Sequence, residues 1–168
     1  MRIFLIGYMA SGKSKAGELL AAQLGYAFED TDSTLEKNER KSIGELFSTG
    51  GEEAFRQLER NVLQATFKKK NIVVATGGGL PCYSDNMQQM NEEGLTIYLE
   101  ANAGLLFHRL LQSRQGRPLL EGLSDVELME KINAHLAERM PFYERAKLKV
   151  PAASLNVKKL AAQVQSLK

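Results

Sequence analysis

Cysteine is nearly absent from this chain: Cys82 is its only thiol, so neither an intramolecular disulfide nor a thiolate zinc cluster can hold it together. A lone thiol suits a reducing cytoplasm, and Cys82 is expected to serve as a small, semi-apolar filler. Histidine is scarce too. His108 and His135 lie far apart on helical patterns without H-x-x-x-H spacing, which leaves no histidine ligand set and makes both ordinary helix residues. No apolar run approaches the length of a membrane span. Met1 to Ala10 breaks at Gly7 after four strongly apolar residues, so a secretory leader is not expected either. Charge of one sign is also missing: 22 Lys plus Arg against 20 Asp plus Glu give a formal +2, too even for a nucleic-acid binder. Lys68-Lys69-Lys70 is a basic run, but it reads as the solvated end of a helix, where cations suit the negative end of the dipole. With no repeat, low-complexity tract or linker, the 168 residues are expected to form one domain that buries its own core.

What is present alternates. Strand-like apolar runs at Ile3 to Ile6, Tyr26 to Phe28, Ile72 to Ala75, Leu95 to Leu99 and Leu148 to Val150 are separated by segments of helical period. That order predicts an α/β domain with a parallel sheet covered on both faces. Ser42-x-x-Glu45 and Ser124-x-x-Glu127 have the spacing of capping boxes. Apolar faces are predicted at Ala16, Leu19, Leu20 and Leu24 with Gln23, at Phe55, Leu58, Val62 and Ala65 after Gly50-Gly51, and at Val157, Leu160, Ala161 and Val164.

Directly behind the first strand comes Gly7-Tyr8-Met9-Ala10-Ser11-Gly12-Lys13-Ser14, which fits G-x-x-x-x-G-K-[ST]. Glycines let the backbone turn and aim N–H groups at a polyphosphate, and the following helix presents its positive end. Lys13 neutralises charge and Ser14 offers a hydroxyl to Mg2+. A nucleoside triphosphate is the expected ligand.

Other residues gather at the ends of predicted strands, the edge where ligands bind in open α/β sheets. After the second strand, Asp30 and Asp32 are separated by one residue. One can face a hydrated Mg2+ and the other a hydroxyl that attacks phosphorus, although either could instead begin the helix containing Leu35. After the third strand, Thr76 is followed by Gly77-Gly78-Gly79, a costly run unless the backbone turns or approaches something closely. Arg56 and Arg139 become of interest because guanidinium groups clamp carboxylates with two bonds. Between two helical patterns, Ser113 to Ser124 reads SRQGRPLLEGLS, long enough for an active-site lid carrying Arg114 and Arg117 as cations over phosphates.

Several less common strings then occur in order: FEDTD at Phe28 to Asp32, GEEAFRQLE at Gly51 to Glu59, GGG at Gly77 to Gly79, RPLL at Arg117 to Leu120 and ERMPFYERA at Glu138 to Ala146. In these strings the chain resembles the shikimate kinase family along nearly its full length. The resemblance implies a three-layer phosphate-loop domain of the nucleoside-monophosphate-kinase type, with a five-stranded parallel sheet of order 2-3-1-4-5, helices on both faces and a lid. It divides the single domain into a phosphate loop at 7–14, an acceptor-binding helical region at about 32–66 and a lid at about 113–124.

The same resemblance implies residue roles. Ala10, Ser11, Gly12, Lys13, Ser14 and Lys15 would hold the ATP phosphates, and Ser14 with Asp30 would hold Mg2+, Asp30 through water. Asp32 would orient the acceptor hydroxyl and act as base. Arg56 and Arg139 would grip the acceptor carboxylate beside the backbone of Gly78 and Gly79, and Arg117 would reach the transferring phosphates, so that Lys13, Asp32 and Arg117 form the catalytic set. These roles suit phosphoryl transfer, which needs alignment and charge neutralisation more than a protein nucleophile. Two residues depart from the family pattern: Lys15 stands where Ser or Thr is commoner, and Ala10 where Gly is frequent. A family arginine that contacts the nucleotide base corresponds to Arg109 or Arg114.

The implied reaction is MgATP-dependent phosphorylation of the 3-hydroxyl of shikimate, in the cytoplasm, by a monomer with no nucleic-acid or membrane partner. Two alternatives carry other acceptors or none. A gluconate or nucleoside-monophosphate kinase would share the loop with a different acceptor pocket, and a regulatory phosphate-loop switch would hydrolyse slowly. Arg56 and Arg139 favour a carboxylate-bearing acceptor, and no guanine-reading N-K-x-D string occurs.

Overall fold

The computed structural model describes residues 1–113 and 122–167. Its strands are β1 (Arg2–Ile6), β2 (Ala27–Asp30), β3 (Ile72–Ala75), β4 (Leu95–Glu100) and β5 (Leu148–Pro151). They form one parallel sheet in the order β2-β3-β1-β4-β5, as expected. The helices are α1 (Lys13–Leu24), α2 (Thr31–Glu39), α3 (Ile43–Thr66), α4 (Asn86–Glu93), α5 (Ala103–Gln112), α6 (Asp125–Tyr143) and α7 (Val157–Ser166).

The sheet is covered on both sides because successive residues of the central strand point to opposite faces. Ile3 and Leu5 of β1 join one apolar cluster with Leu20, Leu106, Ile132 and Val164, while Phe4 and Ile6 join the other with Leu63, Met87 and Tyr143. Both predicted capping boxes form, at Ser42 with Glu45 and at Ser124 with Glu127. Helix α3 contains the break foretold by Gly50-Gly51: Gly51 adopts φ 75° and ψ 175°, a non-helical conformation that only glycine takes easily.

Three local expectations need correction. β2 runs to Asp30, two residues past the predicted Phe28, because it continues to pair with β3 as far as Ala75. In α1, Leu19 is 48% exposed and Gln23 is exposed. The buried face is instead Ala16, Gly17, Leu20 and Ala21, since Gly17 lies against the Phe28 ring, where a Cβ would come within 2.5 Å of Phe28 Cε2. In α3, Ala65 faces out, and the buried line after the break runs Phe55, Glu59, Val62, Leu63 and Thr66. A carboxylate therefore lies on an apolar helix face. Lys68 to Lys70 follow α3, which ends at Thr66, and Lys69 Nζ pairs with Glu29 Oε2 at 2.5 Å.

The register levels the functional loops. Asp30 is aligned with Ala75, and Ala75 with Leu5, so β2, β3 and β1 all release their chains at one edge of the sheet. Side-chain bonds fasten that edge: Thr76 Oγ1 donates to Leu5 O at 3.1 Å, and Gly77 N donates to Thr31 Oγ1 at 2.9 Å.

Candidate active site

The phosphate loop leaves β1 at Gly7 and enters α1 at Lys13. Gly7 has φ 142°, and a Cβ there would meet Leu99 O at 2.8 Å, so the turn requires glycine. Ala10 is left-handed at φ 62°, a conformation costing a non-glycine residue roughly 1–2 kcal/mol. Arg109 of α5 braces this strained stretch by donating to Ala10 O at 3.1 Å and Ser11 O at 2.9 Å. That contact puts Arg109 beside the loop. Arg114 and Arg117, with most of the predicted lid, lie outside the described residues.

Lys13 is 8% exposed, and its ammonium donates to Tyr8 O at 2.8 Å. Ser14 Oγ donates to Asp30 Oδ2 at 2.5 Å. Asp30 also caps α2, its Oδ1 accepting from Asp32 N at 3.0 Å and Ser33 N at 3.2 Å. One Asp30 oxygen thus starts the helix while the other faces the loop serine. Hydroxyl and carboxylate are hard oxygen donors of the kind Mg2+ takes while it keeps phosphate and water ligands. Among the described residues, no group of three His, Cys, Asp or Glu side chains could hold a metal without such added ligands.

The three glycines after β3 each make room for one part of the site. A Cβ on Gly77 would lie 2.7 Å from Asp32 Oδ1 and 2.8 Å from Glu59 Oε1, one on Gly78 would lie 3.3 Å from Arg139 Nη1, and one on Gly79 would lie 2.6 Å from Arg56 Nη2. The bare backbone therefore lets two carboxylates and two guanidinium groups close around one corner. Tyr143 reinforces it by donating to Gly78 O at 2.6 Å. On one side a cleft of about 550 Å3 is lined by Arg56, Gly79 and Arg139, and on the other a cleft of about 410 Å3 by Lys13, Ser14, Asp30, Asp32 and Gly78. A wider cleft of about 670 Å3 lies among Met1, Arg2, Lys69 and Lys147. It opens beyond the amino ends of the strands, and Arg2, Lys69 and Lys147 are already bonded to protein oxygens. The paired clefts, not this one, bear the converging groups.

Burial sets the electrostatics. Asp32 is pushed up to about 6, mainly by desolvation and then by the Asp30 charge, against the attraction of Lys13. Glu59 is pushed up to about 7 by desolvation, with Arg56 pulling it back. Glu59 is 3% exposed and receives Arg56 Nη1 at 2.5 Å. Sequence reasoning assigned Glu59 no role. The signal available was Arg56-x-x-Glu59, one turn apart on the face that carries Phe55 and Val62. Cys82 lines the acceptor-side cleft with its thiol pushed up to about 11 by burial, in keeping with the expected inert filler. His135, expected to be ordinary, reaches the Tyr8 hydroxyl instead.

The sequence model of the shikimate kinase family matches residues 9–167. A shikimate kinase of Bacteroides thetaiotaomicron is 45% identical over 146 residues, 87% of this chain and 83% of that protein. One from Phocaeicola vulgatus is 43% identical over 168 residues, 99% of this chain and 96% of the relative. Among solved structures, the Bacteroides thetaiotaomicron shikimate kinase superposes with a TM-score of 0.93 at 41% identity, covering 99% of this chain and 97% of its own. The Acinetobacter baumannii enzyme in complex with shikimate gives 0.87 at 30% identity, covering 99% and 91%.

Proposed function

The chain belongs to the shikimate kinase family, and on that premise we propose how its own residues move the γ-phosphoryl group of ATP to the 3-hydroxyl of shikimate. The N–H groups of residues 10–15 and the Lys13 ammonium cradle the phosphates, Lys13 turning from Tyr8 O to the ligand. Ser14, and Asp30 through water, would hold the Mg2+ that travels with ATP, which would supply neutralising charge to the phosphates. Arg109 stays beside the loop on the nucleotide side. On the acceptor side, Arg56 and Arg139 take the shikimate carboxylate with two-pronged hydrogen bonds, while Gly78 and Gly79 form the floor. Asp32 accepts a hydrogen bond from the 3-hydroxyl and aims it at the γ-phosphorus. As the new O–P bond forms and the bond to the β-γ bridging oxygen breaks, the hydroxyl proton passes to the Asp32 carboxylate and ADP leaves. The family resemblance would give Arg117, which lies outside the described residues, a role at the transferring phosphates. Residues 32–66 form the acceptor-binding region. The reaction belongs to aromatic biosynthesis, and we infer that the protein carries it out in the cytoplasm as a monomer.

One observation carries this reading: the corner at Gly77 to Gly79 brings Asp32, Arg139 and Arg56 together within van der Waals reach of consecutive residues. A paired-cation corner beside a phosphate loop suits an acceptor with both a carboxylate and a hydroxyl. The direct test measures ADP release with MgATP and shikimate beside gluconate and nucleoside monophosphates. Turnover with shikimate at least about 100-fold above the others in kcat/KM is expected from a site built to hydrogen-bond its acceptor. Preference for gluconate or a nucleotide would overturn it.

Gly79→Ala probes the floor without removing a charged group. Gly79 has φ −86° and ψ −16°, which alanine accepts, so the backbone is not strained. The three atoms nearest the new methyl all belong to the Arg56 guanidinium, at 2.6 to 2.8 Å, so that group must swing aside. The KM for shikimate should rise about tenfold, the loss of roughly one charge-assisted bond, with the KM for ATP and the melting temperature nearly unchanged. Equal rises in both KM values would mean that the corner does not separate acceptor from nucleotide.

A further inference from the structure

Tyr8 fills the first variable position of the phosphate loop and lies 3% exposed, although it belongs to a loop at the mouth of a cleft. Its backbone and ring serve different partners. The carbonyl accepts from Lys13 Nζ at 2.8 Å, whereas the ring lies under Arg139, whose Cζ is 5.3 Å from the ring centroid. The hydroxyl is 3.0 Å from His135 Nδ1. His135 and Arg139 are one turn apart on α6, so one helix face both carries the guanidinium and anchors the ring beneath it.

Burial raises the Tyr8 phenol and, together with the Arg139 charge, keeps the His135 imidazole below its ordinary range. With the phenol protonated and the ring neutral, the two groups share one hydrogen bond, the hydroxyl donating to Nδ1 in the Nε2–H tautomer and accepting from Nδ1–H in the other.

We propose that Tyr8 is a positioning residue whose ring is the platform that holds the Arg139 guanidinium at the triple-glycine corner, with His135 fixing the ring through its hydroxyl. This rests on the reading of Arg139 as a clamp for the acceptor carboxylate. Both clamping arginines lie over an aromatic ring, Arg56 over Phe55 with its Cζ 5.4 Å from the centroid, but Arg56 has a buried carboxylate partner in addition. Arg56 is fastened by the Glu59 carboxylate, which occupies part of its donor fork. Arg139 lies over the Tyr8 ring, its Cζ 5.3 Å from the centroid, and also bonds the Tyr143 hydroxyl, so a carboxylate would take the N–H groups that these two contacts leave. The platform stands on the loop that binds ATP, so the geometry of the carboxylate clamp is referenced to the phosphate cradle rather than to α6 alone.

The experiment compares Tyr8→Leu, Tyr8→Phe, His135→Leu, Tyr8→Phe with His135→Leu, and Arg139→Ala. It measures steady-state kinetics, melting temperatures and the binding of shikimate and its uncharged carboxamide. Tyr8→Leu is expected to raise the shikimate KM about 5- to 20-fold, the span of a partly desolvated cation–aromatic contact at tenfold per ~1.4 kcal/mol. Its ATP KM and kcat should stay within about twofold, and carboxamide binding should not change, since no charge is left to grip. Tyr8→Phe keeps the platform and should recover most of the affinity. Its residual defect should match that of His135→Leu, and the double variant should be no worse than either single one, because both remove one bond. A normal shikimate KM in Tyr8→Leu, or equal losses for shikimate and carboxamide, would overturn the platform. If Tyr8→Leu does not fold, additive defects in the other two variants would overturn it instead. Arg139→Ala separates the two levels: an unchanged shikimate KM there removes the clamp itself, whereas a raised KM with a normal Tyr8→Leu removes only the platform.

Discussion

Replacing Asp32 by asparagine is expected to lower kcat by about two to four orders of magnitude, the range of a lost general base, while ATP binding and the fold persist. Volume barely changes, and Thr31 and Asp30, which fasten this strand end, are untouched. The same substitution has a signature in pH. In the parent protein the base works only when ionised, and burial places that ionisation at about 6, so the acid limb of kcat/KM should fall away below about pH 6. Stability should respond in the opposite sense. A carboxyl whose folded-state value is raised adds stability below the ordinary carboxylate range near pH 4 and loses it as pH rises through its folded value. Asparagine carries no such loss, so the melting temperature of Asp32→Asn relative to the parent should climb between about pH 4 and pH 8. Circular dichroism melts at both pH values, beside single-turnover kinetics, check both halves. Full turnover in the variant would remove Asp32 from the chemistry.

The sheet and the phosphate loop were legible in the sequence because they depend on local signals. β3 begins and ends where its apolar run does, and both capping boxes form from residues three apart. Helix faces were read less well, for a physical reason. In α1 a glycine rather than a large apolar residue makes the closest approach to the sheet, so Gly17 and not Leu19 defines the buried line. In α3 the buried line passes through Glu59, a residue that periodicity discounts as polar. Its burial is tolerated because Arg56 sits one turn before it, a spacing present in the sequence whose meaning follows only from the packing of the helix against the triple-glycine corner. Tyr8 and His135 are 127 residues apart, and no spacing rule connects them. The glycines themselves signalled a close approach, but which groups approach was settled by the register that levels β1, β2 and β3.

Arg56→Ala is expected to weaken shikimate binding by about 2 to 4 kcal/mol, the cost of one two-pronged charge-assisted pair, with the ATP KM little altered. Part of any loss could arise within the protein, because the variant leaves Glu59 buried without its 2.5 Å partner. That part is separable by pH. Arg56 is a force holding the Glu59 carboxyl down, so its removal drives a group already near 7 further up. Stability of Arg56→Ala should therefore match the parent most closely in acid, where Glu59 is protonated in folded and unfolded chains alike. It should fall behind as pH rises toward 9, where the folded state must ionise a carboxyl buried without that partner. Adding Glu59→Gln removes the charge at nearly constant volume and should erase that alkaline deficit in melting temperature. It should leave the shikimate KM as high as in Arg56→Ala alone, since the amide restores packing but supplies no cation. Recovery of shikimate binding in the double variant would make Arg56 a support for the fold at this corner rather than a hand on the substrate. Gly79→Ala, which displaces the same guanidinium while keeping its charge beside Glu59, should show the binding defect without the alkaline loss of stability.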